Sequence, residues 1–154
     1  MYPHKERGAE VIAMFMGEYD HSIDAKGRAI VPSKLRDALG EEFIATRGLE
    51  GCLFLYPNSE WEDFCAKLQA LPSNKQARTL QRHFMSKAME VSIDKQGRIL
   101  IPQKLREHAE LTKDIVFVGN GNRVELWDKD RWDETSDIPI EEIDESMESL
   151  GISI

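Results

Sequence analysis

The chain contains one fifteen-residue segment twice. Residues 22–36 read SIDAKGRAIVPSKLR, and residues 92–106, seventy positions later, read SIDKQGRILIPQKLR. Nine of the fifteen aligned positions are identical, and the three positions between the shared Arg and the shared Pro are aliphatic in both copies. Each copy predicts the same order of elements: a β-rich run, an Asp-x-x-Gly-Arg turn, a second aliphatic run and a helix starting at Pro-x-Lys-Leu-Arg. The fold must therefore accommodate two copies of one small unit.

Charge is distributed unevenly along the chain. The formal net charge is −8, but residues 133–154 hold eight acidic residues and no Lys or Arg, so residues 1–132 are neutral overall. Each copy of the repeat carries four basic residues against one acidic residue. Salt screens charges beyond about 8 to 10 Å, so a phosphate backbone responds to this local charge rather than to the net value.

The cysteine content and the hydropathy indicate an ordinary cytoplasmic protein. Cys52 and Cys65 are the only cysteines, and they lack the spacing of a metal-binding or redox motif. We expect both to be reduced, partly buried thiols, with a disulfide between them as the alternative. No apolar run approaches the roughly 18 residues that span a bilayer, and the polar first ten residues do not resemble a signal peptide.

The repeat and the changes in composition divide the chain into five segments. These are an N-terminal extension at 1–13, a first half at 14–61, a helical linker at 62–88, a second half at 89–132 and an acidic tail at 133–154. Ser59 with Glu62, and Ser73 with Gln76, have the spacing of helix capping boxes, and Asp128 predicts one further helix start. For the tail, the sequence leaves open a loosely held helix, a partner-binding segment and disorder.

The Asp-x-x-Gly-Arg turns are the candidate functional motifs. An Asp at the first position can accept hydrogen bonds from backbone N–H groups two or three residues on, and a Gly can take the positive φ that closes a hairpin. We assign these structural roles to Asp24, Gly27, Asp94 and Gly97. A turn stiffened in this way holds its basic side chains outward at little further entropic cost.

The basic residues of the turns are the candidate DNA contacts. We predict this role for Lys26, Arg28, Lys95 and Arg98, because the planar fork of Arg suits a phosphate or the O6/N7 edge of guanine. The alternative is that each Arg pairs with the Asp of its own turn only to brace the hairpin. The basic residues of the helix starts are expected to cover the edge of the core or to bridge subunits. They are Lys34, Arg36, Lys104 and Arg106.

Together with the Met-Phe-Met-Gly-Glu-Tyr segment at Met14, the doubled Asp-x-x-x-Arg and Pro-x-Lys-Leu-Arg motifs resemble the bacterial MraZ proteins, relatives of AbrB-type transition-state regulators. The resemblance extends from Met14 to the region of Trp132 and beyond, and places Arg28 and Arg98 on the family's motifs. It implies an α+β, mainly β fold, in which two swapped-hairpin AbrB-like halves form one pseudo-twofold β-barrel with flanking helices.

The resemblance also implies a function and an assembly. Ring homo-oligomers are expected to bind double-stranded DNA at short direct repeats in the promoter of the division and cell-wall gene cluster, and to repress it. Such a protein would be cytoplasmic and nucleoid-associated. We expect no cofactor, no metal, no membrane contact and no small-molecule ligand.

Two other functions fit parts of the sequence. An enzyme using Asp24 and Asp94 as an acid–base pair is disfavoured, because the sequence has no recognisable nucleophile frame, phosphate-binding glycine loop or metal-spaced cluster. An antitoxin-like or other protein-interaction module is the second alternative, since an acidic tail can cover a partner protein.

Overall fold

The computed structural model describes residues 14–154, and the predicted extension at residues 1–13 lies outside them. The described residues form eight β-strands and six α-helices. The first half contains β1 Glu18–Ser22, β2 Arg28–Ile30, α1 Ser33–Leu39, β3 Glu42–Arg47 and β4 Leu53–Pro57. The helices α2 Asn58–Gln69 and α3 Lys75–Met85 follow. The second half contains β5 Met89–Ser92, β6 Arg98–Leu100, α4 Gln103–Ala109, β7 Asp114–Asn120 and β8 Arg123–Asp128, and the last helices are α5 Lys129–Ser136 and α6 Ile140–Leu150.

The two halves are joined by their strands. Six strands form one antiparallel sheet in the order β1-β7-β8-β4-β3-β5, so β1 pairs with a strand of the second half and β5 with a strand of the first. The counterparts in the two repeats are β1 and β5, β3 and β7, and β4 and β8. Exchanging each strand for its counterpart gives the same order read from the opposite edge of the sheet. The halves are therefore related by a pseudo-twofold axis, with β4 and β8 paired beside it.

The remaining strands, β2 and β6, pair with each other to form a two-stranded antiparallel sheet, which we call the ribbon. The backbone N–H of Val31 donates to the carbonyl of Gly97 at 2.9 Å, and that of Ile101 donates to the carbonyl of Gly27 at 2.8 Å. These reciprocal bonds tie each turn to the strand of the other half. Within residues 14–154 the strands form these two sheets, linked at the bridge between Ile23 and Ala29, and strand pairing does not join them into one continuous barrel. The mixed, mainly antiparallel class is confirmed.

One apolar core lies between the halves. Equivalent positions of the two repeats meet there, including Val31 and Leu35 from the first copy and Ile101 and Leu105 from the second. A second cluster, which we call the aromatic cluster, lies on the other side of β4 beneath α2 and α3. Its buried members are Cys52, Phe54, Tyr56, Leu68, Phe84, Val116 and Trp127. Every residue of β4 is buried because the strand lies between these two clusters.

The structure corrects the predicted capping boxes. Helix α2 begins at Asn58, so Ser59 lies inside it and makes no capping hydrogen bond. Helix α3 begins one residue later than the capping box predicts, because the side chain of Asn74, rather than that of Ser73, accepts a hydrogen bond from the backbone of Ala77. Asp128 does precede α5, but its carboxylate accepts from Thr112 instead of from the helix. Tertiary contacts and neighbouring polar residues decided these helix ends.

Helix α5 covers part of the second half, and the tail beyond it continues as α6. Trp132 packs on Trp127 and donates its indole N–H to Glu18 at 2.9 Å. Cys52 and Cys65 are free thiols, as predicted, and burial raises the pKa of Cys52 to about 12. None of the helices in residues 14–154 is long and apolar enough to cross a membrane.

Candidate nucleic-acid interface

Each Asp-x-x-Gly-Arg segment folds into a tight hairpin turn. In the first copy the backbone N–H of Asp24 donates to the carbonyl of Arg28 at 2.9 Å, and that of Gly27 donates to the carbonyl of Asp24 at 3.0 Å. Gly27 has φ 86°, and its counterpart Gly97 has φ 80°. A three-residue hairpin loop needs a residue with positive φ at this place, and glycine takes that conformation without strain. The structural role predicted for Gly27 and Gly97 therefore depends on the positive φ that the loop requires.

The aspartate of each turn engages both the backbone and the arginine. Asp24 Oδ1 accepts from the backbone N–H groups of Lys26 at 2.9 Å and Arg28 at 2.8 Å, while Oδ2 accepts from Arg28 Nε at 3.0 Å. Asp94 makes the matching bonds to Gln96 and Arg98, at 2.9, 2.9 and 3.0 Å. The carboxylate therefore fixes both the turn and the direction of the guanidinium. The two interpretations of the arginines, that they brace their own hairpins and that they contact DNA, are therefore compatible.

These bonds affect the protonation of the aspartates. The backbone N–H of Arg28 is the largest cause that lowers the pKa of Asp24 below its ordinary value of 3.8, and the Arg28 guanidinium adds to it. The Arg98 backbone and guanidinium lower the pKa of Asp94 in the same way. Both carboxyl groups therefore stay ionised to lower pH than an ordinary aspartate, and each continues to hold its arginine there.

The two arginines lie on one face of the ribbon. In the β2·β6 register Arg28 is opposite Leu100 and Ile30 is opposite Arg98, so these four side chains share a face. The arginines occupy one diagonal, a relationship in which neighbouring residues are roughly 7–8 Å apart. The other face carries Ala29 and Ile99, both buried in the core.

The outer face of the ribbon is accessible to solvent. The side chains of Arg28 and Arg98 are 34% and 31% exposed, and Ile30 and Leu100 are 44% and 58% exposed. The contacts found among residues 14–154 engage Nε of each arginine and leave the terminal guanidinium nitrogens available. Lys26 and Lys95 are exposed on the two turns.

Two further arginines support the turns, a role that the sequence did not reveal. The guanidinium group of Arg36 lies against Gly97, and that of Arg106 lies against Gly27. Each is directed there by a hydrogen bond to the residue that follows the ribbon strand of its own half, from Arg36 Nε to the carbonyl of Val31 at 2.8 Å and from Arg106 Nε to that of Ile101 at 3.0 Å. The ribbon and its turns therefore gather six cationic side chains against two carboxylates, within a chain that is acidic overall. Sequence separation hides this contact, because each arginine supports the turn of the other repeat.

The comparisons with known proteins agree with the doubled architecture. The profile of the family described as "MraZ protein, putative antitoxin-like" matches residues 14–83 and again residues 84–148. This chain belongs to the MraZ family. Each matched region contains one Asp-x-x-Gly-Arg turn, so the family unit corresponds to one half of the pseudo-twofold structure.

Relatives named "Transcriptional regulator MraZ" match the chain over nearly its whole length. The relative from Lachnoclostridium phytofermentans is 59% identical over 140 residues, which cover 91% of this chain and 99% of that protein. The relative from Heliobacterium modesticaldum is 52% identical over 138 residues, covering 89% and 96%. The relative from Clostridium tetani is 51% identical over 142 residues, covering 90% and 100%. The predicted family resemblance is therefore confirmed.

The described residues of this MraZ-family chain do not form a metal-binding cluster. No group of three or more His, Cys, Asp or Glu side chains in residues 14–154 is arranged to hold a metal ion. The carboxylates of the two turns are instead engaged by arginine and backbone donors.

Proposed function

We propose that this chain is a DNA-binding transcriptional regulator that contacts duplex DNA through the ribbon. One observation carries the proposal: Arg28 and Arg98, seventy residues apart in sequence, lie on one exposed face of a two-stranded sheet. The major groove of B-DNA admits a two-stranded β-ribbon, and arginine is the side chain that most often reads guanine there. The cationic surroundings of the ribbon favour the approach of a phosphate backbone despite the net negative charge.

In this proposal the residues of each turn have separate roles. Asp24 and Asp94 orient the arginines through Nε, and the terminal nitrogens of Arg28 and Arg98 contact base edges or phosphates. Lys26 and Lys95 contact phosphates, which position the protein without specifying sequence. Because each arginine is already held by its carboxylate, little side-chain entropy is lost when DNA binds.

The scaffold in the proposal is a pseudo-twofold barrel, closed where the hairpin turns join the ribbon to the outer strands. The Ile23–Ala29 bridge and the reciprocal bonds made by the carbonyls of Gly27 and Gly97 support this closure. We further propose the functional division 14–61 and 89–132 for the two AbrB-like halves, with 62–88 as a helical linker and 133–154 as a tail. The location in this proposal is the cytoplasm, on the nucleoid, and no catalytic activity is included.

We extend the proposal to assembly and target from the family resemblance. Rings of several chains bind short direct repeats upstream of the division and cell-wall gene cluster that contains the chain's own gene, and repress it. A single ribbon neutralises few phosphates, and log K for such contacts falls by about 0.9 per phosphate for each tenfold rise in salt. Linked copies on successive repeats raise the overall affinity by about 10² to 10⁴ without new contacts.

A second candidate function is an antitoxin-like or other protein-interaction module. The observation that favours it is helix α6, which has no buried residue and whose acidic side chains are exposed to solvent. In that case removal of residues 137–154 abolishes capture of a protein partner while DNA binding by the ribbon remains.

The proposal is tested by titrating a fluorescent duplex of the chain's own upstream promoter with Arg28→Ala, Arg98→Ala and the double variant. Loss of one base-reading arginine costs about 1–3 kcal/mol of specific binding. Arg78→Ala is the matched control, because Arg78 is exposed on α3 away from the ribbon and its removal changes the net charge equally. Size-exclusion light scattering and circular dichroism check that assembly and fold persist.

Two outcomes of this titration contradict the proposal. One is full promoter affinity in the double variant. The other is an equal loss of promoter affinity in Arg78→Ala, which would show that any surface cation contributes as much as an arginine of the ribbon. Promoter duplexes with one, two and three repeats test the assembly separately, because equal affinity for all three excludes a contribution from linked copies.

A further inference from the structure

Helix α6 is amphipathic, yet the described part of its own chain leaves most of its apolar face uncovered. Ile140, Ile143, Met147 and Leu150 follow helical spacing and form one stripe. The exposed fractions of Ile140, Ile143 and Leu150 are 65%, 42% and 75%, and Met147 alone is half-buried. A well-formed helix with such a stripe usually buries it against a partner surface.

The charge of α6 restricts what that partner can be. The helix contains five acidic residues and no basic residue. Asp144 and Glu148 lie along one side of the stripe and Glu142 lies on the other, so both borders are acidic. Pairing of two α6 helices would bring like charges together. The complementary surface therefore needs exposed aliphatic side chains bordered by cations.

The outer face of the ribbon has this combination. Ile30 and Leu100 occupy one diagonal of the four-residue face, and about half of each side chain is exposed. Arg28 and Arg98 occupy the other diagonal, one on each side of the aliphatic pair. An acidic helix laid along the aliphatic diagonal would place its borders next to both guanidinium groups.

The basic face of α3 is a poorer match. Lys75, Arg78 and Arg82 follow one another along its exposed side. Of the exposed apolar residues, Met85 lies beside the basic face and Leu80 lies at the far edge of the exposed side of α3, so the two form no stripe with each other. Charge alone would hold α6 there, whereas the ribbon offers both charge and apolar contact.

We propose that α6 of one copy docks on the ribbon of a second copy. The contact is between copies because α5 leads away from the ribbon of its own chain. Lys129 at the start of α5 pairs with Asp20, and Trp132 one turn later bonds Glu18, so α5 runs along β1 away from the turn that follows this strand. The apolar stripe of α6 covers the aliphatic diagonal of the ribbon, and its acidic borders meet the two arginines.

This inference rests on the proposed function for its consequence. If the ribbon binds DNA, α6 and the duplex compete for the same four side chains, and DNA must displace the helix. The apparent DNA affinity is then reduced by the fraction of ribbons that α6 occupies. The acidic tail thus competes with DNA for the ribbon. The affinity of α6 for the ribbon falls as salt increases, because the contact is partly electrostatic.

A cross-linking experiment tests the contact itself in the full-length chain. Leu100→Cys and Met147→Cys are introduced into separate preparations, both also carrying Cys65→Ser, and the mixture is treated with a short bismaleimide. Buried Cys52 stays in place. The expected product is a covalent dimer of one Leu100→Cys chain and one Met147→Cys chain, and promoter duplex suppresses its formation. Thr79→Cys, exposed on the basic face of α3, replaces Leu100→Cys in the control mixture.

An affinity measurement tests the competition. In the variant Ile143→Ser, Asp144→Asn, Glu148→Gln, promoter affinity is expected to rise by about three- to tenfold. The matched control is Glu145→Gln, because Glu145 lies on α6 opposite the stripe and its loss leaves both borders intact. None of these residues is buried, so the substitutions leave the core unchanged.

The outcomes separate this inference from the proposed function. Cross-linking to position 79 but not to position 100, or to neither, overturns the docking, while promoter binding by the unmodified chain still supports the function. An unchanged affinity of the triple variant, or an equal gain in Glu145→Gln, overturns the competition. If neither the unmodified chain nor the triple variant binds any duplex, the proposed function fails and the competition fails with it.

Discussion

The guanidinium group of Arg106 lies directly on Gly27, seventy-nine residues earlier in the chain. A Cβ atom at position 27 would come within 2.6 Å of Arg106 Cζ, and one at Gly97 within 2.5 Å of Arg36 Cζ. Each half of the molecule thus supports the turn of the other half with an arginine side chain. The relationship makes two demands on the glycine, a positive φ and the absence of a side chain.

Gly27→Ala is expected to lower the free energy of unfolding by about 2–3 kcal/mol. The positive φ costs an L-residue about 1–2 kcal/mol, and the methyl group also displaces Arg106 from its place on the turn. Urea denaturation followed by circular dichroism measures the change. Gly121→Ala is the control, because Gly121 has φ 73° and nothing within 4 Å of the added Cβ, so only the backbone strain applies. Equal losses in the two variants would show that the arginine contact contributes nothing.

Arg106→Ala is expected to loosen the turn of the opposite repeat. The variant loses the hydrogen bond to Ile101 and the cover over Gly27, at a cost of about 1–3 kcal/mol. Hydrogen–deuterium exchange should quicken at residues 24–28 and stay unchanged at 94–98, with Arg36→Ala giving the reverse. Lys104→Ala, an exposed position on the same helix, should change neither turn. Faster hydrogen exchange at both turns, or at neither, contradicts the interpretation that each half supports the turn of the other half.

Asp24→Asn should reveal the contribution of the carboxylate through its pH dependence. The pKa of Asp24 is lower in the folded than in the unfolded chain, so its ionised form stabilises the fold above the ordinary value of 3.8. That stability is lost as pH falls through the lowered pKa. The melting temperature of the original chain should therefore exceed that of the variant at neutral pH, and the difference should vanish in acid.

The control for this pH experiment is Asp37→Asn, which removes an exposed carboxylate of α1 outside the turns. Asp94→Asn should reproduce the result for Asp24, because the bonds of Asp94 match those of Asp24 in number and closely in length. A difference that persists unchanged into acid would assign the effect to the amide rather than to the lost charge.

Phe84→Ala should detach the helical linker from the aromatic cluster. Phe84 is 5% exposed, stacks on Phe54 at 6.1 Å between ring centroids, meets Phe64 edge-on at 5.0 Å, and accepts from Thr46 through its backbone carbonyl. Removing such a buried ring costs about 3–5 kcal/mol, measurable as a shift of the urea midpoint.

Leu80→Ala is the control on the same helix, since Leu80 is 44% exposed and its loss should stay within about 0.5 kcal/mol. Because Phe84 lies outside the ribbon, the folded Phe84→Ala chain should retain promoter affinity in the absence of denaturant. A loss of affinity without a loss of stability would show that the linker takes part in DNA binding.

Local geometry was predictable from residue types alone. The Asp-x-x-Gly-Arg turns close as expected because their hydrogen bonds join residues at most four apart, from Asp24 to Arg28 and from Asp94 to Arg98. Helix α1 ends at Gly40 with φ 89°, a conformation that glycine takes without strain. The capping box at Ser73 failed because the neighbouring Asn74 makes the hydrogen bond to the helix instead.

The sequence by itself determined that two equivalent hairpins exist, what each turn looks like, and that each carries one arginine, since these properties depend on contacts within a few residues. Only the tertiary structure decided that Arg28 and Arg98 share a face and that Arg106 supports the turn at Gly27. The physical reason is that Ala29 and Ile99 must both be buried in the core between the halves. Their burial pairs β2 with β6 and turns the alternate residues of both strands toward solvent.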